Sequence, residues 1–354
     1  MITRKKTRQI KVRDVLIGGG APVVIQSMTN TDINDIEATL AQIGRLTAAG
    51  CRIVRLAIPD EKALRAFKKI REQTKVPLVA DIHFQYRLAV EAIEAGADKV
   101  RINPGNIGSE ERVKKVVDAA SRAHIPIRIG VNSGSLEKPL LDKYGSTTPR
   151  ALLESSLSSL ALMKNFGFED VIVSIKASDV ITTIEACRML AEHTDVPQHI
   201  GVTESGTVRS GSLRSAVGIG ALLAEGIGDT IRVSLAGDPL EEIFAAKEIL
   251  KALGLASGPV VIACPTCGRT QIDVAKLAAQ VERMVAGLTA PIRIAVMGCV
   301  VNGPGEARDA DLGIAGGRGE GLLIVKGQAI KKVKEREMLK TLKKYIEDMT
   351  KEKL

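Results

Sequence analysis

The stretch Ile127-Arg128-Ile129-Gly130-Val131-Asn132 decides how this chain folds. As an extended segment it sends Ile127, Ile129 and Val131 to one side and Arg128 and Asn132 to the other. The same signature, one cation inside an apolar run, recurs at Arg55 in Val54-Arg55-Leu56, at Arg101 in Val100-Arg101-Ile102-Asn103, at Lys176 in Ser174-Ile175-Lys176 and at Arg232 in Ile231-Arg232-Val233-Ser234. Parallel strands wrapped by helices are almost uninterrupted apolar runs. The neighbours of each cation must therefore face the helices, and the cation must face the interior. The same parity turns Gln26, Met28, Asp81, His83, Asn103, Ser174 and Ser234 inwards.

Outward from that stretch, apolar runs at residues 23–28, 53–58, 78–84, 99–104, 126–131, 170–176, 199–204 and 230–235 are each followed by a helix-like segment. Eight such units predict an α/β fold, a closed (β/α)8 TIM barrel whose polar inward tips gather at the C-terminal mouth. Segments 36–49 and 151–166 read as outer helices, with Gly50 and Gly167 placed to stop them. Residues 254–259, Gly-Leu-Ala-Ser-Gly-Pro, read as a linker, so the expected domains are a barrel over 1–255 and a smaller α+β module over 256–354. In the module, a strand at 260–263 runs into Cys264, a helix follows at 273–286, and a strand at 292–297 delivers Cys299. Two further strands, near 312–315 and 322–325, precede a terminal amphipathic helix that takes in the charged run 331–353.

Composition agrees with this architecture. In 354 residues there is no Trp, aromatics make up 2%, and Gly is plentiful at 33, which suits buried parallel strands and offers no platform for stacking bases. A net charge of +9 attracts polyanions of every kind, but the densest charged run interleaves both signs at helical spacing and reads as a solvated face. No secretory signal and no membrane-spanning stretch is apparent, so a cytoplasmic location is expected.

Five cations converging on one cavity repel one another and are costly to desolvate unless a multiply charged anion joins them. Guanidinium forks match phosphate geometry, which points to a small phosphorylated ligand. Asp81 and His83 close the third strand and Glu204 the seventh. Asp81 either balances charge or handles a proton; His83 is read as a hydrogen-bond donor to phosphate or carboxylate. Glu204, at the mouth beside Gly206, is the better proton donor.

Of the five cysteines, Cys51 and Cys187 read as small buried hydrophobes. The other three cluster, in Cys264-Pro265-Thr266-Cys267 and in Gly298-Cys299-Val300-Val301-Asn302-Gly303-Pro304-Gly305-Glu306. Three thiolates are too few for a closed four-thiolate site, and glycine turns can bring Glu306 back to the metal. A carboxylate ligand suits one unique iron of a 4Fe-4S cluster better than a closed zinc site, although Cys-x-x-Cys alone is also a common zinc half-site.

Cys264 to Thr270, Cys-Pro-Thr-Cys-Gly-Arg-Thr, together with Met297 to Glu306, resembles the 4-hydroxy-3-methylbut-2-enyl diphosphate synthase family of the methylerythritol phosphate route to isoprenoids. Val24 to Asn30, Ala80 to Phe84, Arg101 to Asn106, Arg128 to Asn132 and Gly201 to Glu204 resemble its barrel motifs, so the likeness spans nearly the whole chain. It implies reductive ring opening and dehydroxylation of 2-C-methyl-D-erythritol 2,4-cyclodiphosphate. It implies that Cys264, Cys267, Cys299 and Glu306 hold a 4Fe-4S cluster. Arg55, Arg101, Arg128, Asn132 and Lys176 would hold the diphosphate, with His83, Asn103, Thr203 and Arg232 as further substrate contacts and Glu204 and Asp81 at the chemistry. Reduced flavodoxin or ferredoxin as donor, and a homodimer in which the small domain of one subunit closes over its partner's barrel, are implied in the same way.

Two readings of other classes remain on the sequence alone. One is a barrel transferase or lyase for a phosphorylated substrate with a structural zinc module, which iron analysis would exclude. The other is a basic nucleic-acid-binding protein with a metal knuckle, which predicts steeply salt-dependent binding to RNA or DNA.

Overall fold

A computed structural model of the chain describes residues 2–301, 305 and 307–354; Glu306 lies outside the described residues. The chain divides into two compact units, Met1–Leu255 and Ala256–Leu354.

In the first unit, eight parallel strands form one sheet: β3 (Val24–Met28), β4 (Ile53–Ala57), β5 (Leu78–Asp81), β6 (Lys99–Ile102), β7 (Ile127–Asn132), β8 (Val171–Lys176), β9 (His199–Ile200) and β10 (Thr230–Ile231). Their order is β8-β7-β6-β5-β4-β3-β10-β9. A parallel bridge between Val173 and Gln198 links β8 to the start of β9, and the Val173 amide donates to the Pro197 carbonyl at 3.0 Å. The ring of strands predicted from the apolar runs is therefore present. Helices follow the strands, and Asp35, Asp60, Asp179 and Asp238 cap four of them by accepting a first-turn backbone N–H.

Several strands are shorter than the runs, and the seventh and eighth are only two residues long. The seventh ends at Ile200, and at the next position a Cβ on Gly201 would lie 2.3 Å from the Arg232 carbonyl oxygen and 2.8 Å from Lys176 Nζ. Glycine lets the neighbouring chain pass and leaves room for the lysine. The eighth ends at Ile231, one residue before Arg232.

An element not anticipated from the sequence seals the other end. The hairpin β1 (Ile10–Val12) and β2 (Val15–Ile17) packs Ile10, Val12, Val15 and Ile17 against Val24, Ile53, Val79 and Ile172, inward residues near the strand starts. The interior thus rises from an apolar floor to a charged mouth.

The second unit is a five-stranded sheet in the order β11 (Val260–Ala263), β12 (Arg293–Met297), β13 (Leu312–Gly316), β14 (Glu320–Val325) and β15 (Gln328–Lys334). The first three are parallel and the last two antiparallel. Helices Val274–Val285 and Met338–Thr350 bury Val281, Val285, Leu342 and Ile346 against Ile294, Val296, Ile314 and Leu323 of the sheet. One expectation is corrected here: residues 331–334 belong to β15, and the terminal helix begins at Met338. Across β15 only Val333 is buried, so its lysines gave the run a helix-like polarity without the helix.

Candidate active site

At the C-terminal ends of the barrel strands lies a cavity of about 270 Å³ into which all five expected cations, Arg55, Arg101, Arg128, Lys176 and Arg232, project. Asp81, His83, Asn132 and Thr203 line it as well. A larger cavity, about 320 Å³, lies elsewhere on this unit against Leu157, Leu160, Phe168 and Val196, and its Arg8 is already paired with Asp195. The smaller one carries the unbalanced charge.

Asp81 organises one side of it. Its Oδ1 lies 3.2 Å from Arg101 Nη1, and its Oδ2 lies 3.8 Å from Arg55 Nε and 3.5 Å from His83 Nε2. Burial opposes its ionisation, but Arg55, the His83 hydrogen bond, Arg101 and Arg128 outweigh that and hold the carboxyl below the usual range. Arg55 also donates to the Met28 thioether at 3.0 and 3.2 Å. Its burial, against the opposing pull of Asp81, brings its pKa down to about 10. Arg101 needs a gap in the next strand: a Cβ on Gly130 would sit 2.4 Å from its Nε. That explains the glycine in the stretch that marks the fold.

Arg128 and Lys176 have no carboxylate partner among the described residues. Arg128 is 1% exposed, and its Nε and Nη1 are buried without an acceptor. Burial, then Arg55 and Arg101, lowers its proton affinity; burial, then Arg232 and Arg128, does the same to Lys176. Buried donors without acceptors are costly in a folded protein unless a ligand or water supplies the missing oxygen.

Two functional neighbours escaped the sequence reading. Lys99, two residues before Arg101 on β6, is fully buried and donates to Gln26 Oε1 at 3.1 Å. Glu242, on the helix Pro239–Ala252, forks onto Arg232 and also accepts from Ser27 Oγ at 2.8 Å and from the Leu235 amide at 3.1 Å. Among the described residues, six interior basic side chains thus face two carboxylates.

Other candidates sit apart. Asn103 is buried, but its side chain caps the short helix Pro104–Ile107 by accepting from the Gly105 amide at 3.1 Å, and it is not among the cavity-lining residues. Glu204 is exposed on the loop after β9, also outside the lining set, and holds a left-handed φ of 51° that a non-glycine residue adopts only at a cost.

In the second unit the three cysteines lie just past the ends of β11 and β12, and among the described residues no three of His, Cys, Asp or Glu are gathered closely enough to hold a metal ion. Cys264 follows β11, its amide donating to Val296 at 3.2 Å, and its Sγ accepts from the Gly298 amide at 3.1 Å. Cys267 is exposed; its amide donates to Thr270 Oγ1 at 3.1 Å. A hydrogen bond from the Arg269 backbone, then the Thr270 side chain and the Arg269 charge, lowers its thiol pKa, while nearby Cys299 opposes this. Amide donors aimed at sulfur and a thiol shifted towards thiolate fit an anionic sulfur-ligated metal group. Cys51 and Cys187 are buried as expected, with burial pushing their thiols up to about 11 and about 12.

A (β/α)8 barrel with a cation-lined cavity at its mouth, together with a second unit that carries three cysteines just past strand ends, defines a class of two-unit barrel enzyme. The chain belongs to the GcpE family: the GcpE TIM-barrel domain matches residues 7–247 and the GcpE protein C-terminal domain matches residues 260–348. It is 57% identical over 350 residues to a 4-hydroxy-3-methylbut-2-en-1-yl diphosphate synthase (flavodoxin) of Caldanaerobacter subterraneus subsp. tengcongensis, covering 99% of each chain. A protein of the same name from Geobacillus kaustophilus is 54% identical over 353 residues, covering 99% of this chain and 94% of that one. These agree with the resemblance carried by the motifs. Among solved structures, a type I 3-dehydroquinate dehydratase from Clostridium difficile shares the barrel at a TM-score of 0.50 and 14% identity, covering 71% of this chain and 98% of that one. At that identity only the fold is common.

Proposed function

We propose that this chain opens the ring of 2-C-methyl-D-erythritol 2,4-cyclodiphosphate and removes a hydroxyl, giving (E)-4-hydroxy-3-methylbut-2-enyl diphosphate for isoprenoid biosynthesis. The observation that carries the reading is the surplus of buried cations over carboxylates at the barrel mouth. The names of its full-length relatives support it. Two electrons and one proton enter, the carbon–oxygen bond that closes the ring and the bond to the neighbouring hydroxyl both break, a carbon–carbon double bond forms, and the departing hydroxyl leaves as water. Opening the ring turns a bridging phosphate oxygen into a terminal one, so the ligand gains negative charge as it reacts. Arg55, Arg101, Arg128, Lys176 and Asn132 hold the diphosphate and favour that gain. Asp81, held ionised, keeps Arg55 and Arg101 aimed at the cavity rather than donating a proton. His83, Thr203 and Arg232 complete the contacts, and Glu204 supplies the proton to the departing oxygen.

A 4Fe-4S cluster on Cys264, Cys267, Cys299 and Glu306 would supply the electrons and one iron with an exchangeable position. Reduced flavodoxin, or ferredoxin, delivers the electrons, and the enzyme works as a homodimer in the cytoplasm. No helix among the described residues is long and apolar enough to cross a membrane.

The test is anaerobic purification followed by iron analysis, a paramagnetic-resonance spectrum, and turnover of the cyclodiphosphate with reduced flavodoxin. Iron in cluster stoichiometry and diphosphate product are expected. Stoichiometric zinc without iron would replace this reading by a barrel enzyme with a structural metal.

A further inference from the structure

Beneath the pocket lies a polar layer that the reaction above does not use. Lys99 is 0% exposed, and its hydrogen bond goes to Gln26, whose own Nε2 is buried without an acceptor. His199, equally buried, bonds Thr230 Oγ1 through Nδ1 at 2.7 Å and leaves Nε2 without a partner. The ring that holds Lys99 also carries Arg55 on β4, Asp81 on β5, Arg101 on its own strand, Arg128 on β7, Lys176 on β8, His199 on β9 and Arg232 just after β10. Asp81 is engaged by Arg55, Arg101 and His83, and Glu242 by Arg232; among the described residues no carboxylate pairs with Lys99.

We propose that Lys99 is a reserve counter-charge: its amine is neutral when the pocket is empty and takes up a proton from solvent when a polyanion enters. An ammonium buried among guanidiniums with no anion is strongly disfavoured. Burial, then Arg128 and Arg55, accordingly depresses its proton affinity. A bound dianion engages the same Arg128 and Arg55, and Lys99 lies two strand residues below Arg101, about 7 Å along β6. At that range an anion in a low-dielectric interior offsets much of the positive field on the amine. The amine plus one proton becomes ammonium, the charge that deepens anion binding. Lys99 therefore acts as a positioning residue for charge, without touching the ligand.

The proposal rests on the pocket's being an anion site, not on the reaction, and the probe is chosen accordingly. Sulfate is a dianion that carries no proton near neutral pH, so any proton taken up belongs to the protein. Calorimetric titration of sulfate into anaerobically purified full-length protein, in buffers of different ionisation enthalpy at pH 7 to 9, gives the number of protons bound. The parent protein should take up a substantial fraction of a proton. Lys99→Met should lose that fraction, bind sulfate about tenfold more weakly where uptake was complete, and unfold at higher temperature than the parent without anion, because a buried amine that must give up its proton has been removed. Lys99→Arg, which cannot titrate, should lose the uptake too. Parent protein that binds sulfate with no proton uptake, or Lys99→Met that retains it, would overturn the role of Lys99 while leaving the pocket intact. Failure of the parent to bind sulfate would overturn the anion pocket and this proposal together.

Discussion

Arg232 and Glu242 form a two-pronged ion pair across the barrel wall, with Nε and Nη2 of the guanidinium each 3.2 Å from a carboxylate oxygen. Glu242 is 4% exposed and Arg232 17%, so the pair sits largely out of water. The carboxylate also takes Ser27 Oγ and the Leu235 amide, tying β3, the loop after β10 and an outer helix to one pocket cation. Removing it leaves a buried guanidinium uncompensated. Glu242→Ala is expected to lower unfolding free energy by about 3 kcal/mol, measured by urea denaturation, and Glu242→Gln by less. A Glu242→Ala protein as stable as the parent would show that the brace contributes nothing.

Asp81 gives the pocket a pH signature. Its carboxyl titrates below the usual value in the folded state. It therefore adds stability that is fully present above the unfolded value, about pH 3.9, and is lost as pH falls from there through the folded value. Asp81→Asn should be less stable than the parent at pH 7, and the gap should narrow on acidification below about pH 4. Added sulfate should restore part of the loss at neutral pH. A gap of constant size down to pH 2 would place the effect in packing instead.

How much was legible follows from which signals are periodic. Strand alternation turned Arg55, Arg101, Arg128, Lys176 and Arg232 inwards because the apolar residue before each one fixes its side of the sheet. Lys99 has no such neighbour, being the first residue of β6, and was passed over. Asn103 obeyed the parity rule and is buried, but Pro104 starts a helix immediately after it and the amide became a cap. Glu242, beside Glu241 in the first turn of a helix, looks in sequence like an acid placed for the helix dipole; only the tertiary fold turns it onto Arg232. The hairpin at Ile10–Val12 and Val15–Ile17 is built from strands of three residues, too short to show a period.

The arginines of the barrel mouth should dominate ligand affinity. Each desolvated phosphate contact removed costs on the order of 2 to 5 kcal/mol, so Arg55→Ala, Arg101→Ala and Arg128→Ala are expected to weaken cyclodiphosphate binding sharply. Iron content should stay at the parent level. Calorimetry and iron analysis on the same preparations test both statements, and unchanged affinity in all three variants would remove the barrel mouth as the diphosphate site.

The cysteine-bearing unit makes a graded prediction. Three thiolates are needed to retain an iron–sulfur cube, so Cys264→Ser, Cys267→Ser and Cys299→Ser should each lose most iron and all turnover while far-UV circular dichroism stays that of a folded barrel. Glu306→Ala should keep much of the iron, release part of it more readily to a chelator, and lose most activity. If Glu306→Ala matches the parent in spectrum and in rate, with and without substrate, that carboxylate is not a ligand.

Glu204 combines exposure at the barrel mouth with a backbone conformation that glycine would hold more cheaply. A non-glycine residue at positive φ costs roughly 1 kcal/mol or more, and Gly206 two positions later shows that the loop already uses glycine where the backbone alone decides. The proposed proton donor therefore sits where the backbone alone would favour glycine. Glu204→Gln preserves shape and removes the proton, so kcat should fall at least about a hundredfold with KM for the cyclodiphosphate and iron content unchanged. Glu204→Gly should be equally inactive but more stable by about 1 kcal/mol, which separates the strain from the chemistry. Steady-state kinetics with reduced flavodoxin, paired with denaturant titration, decide it: a Glu204→Gln enzyme with the parent kcat would reassign the proton to another group at the mouth, and a Glu204→Gly protein no more stable than the parent would mean the loop carries no strain there.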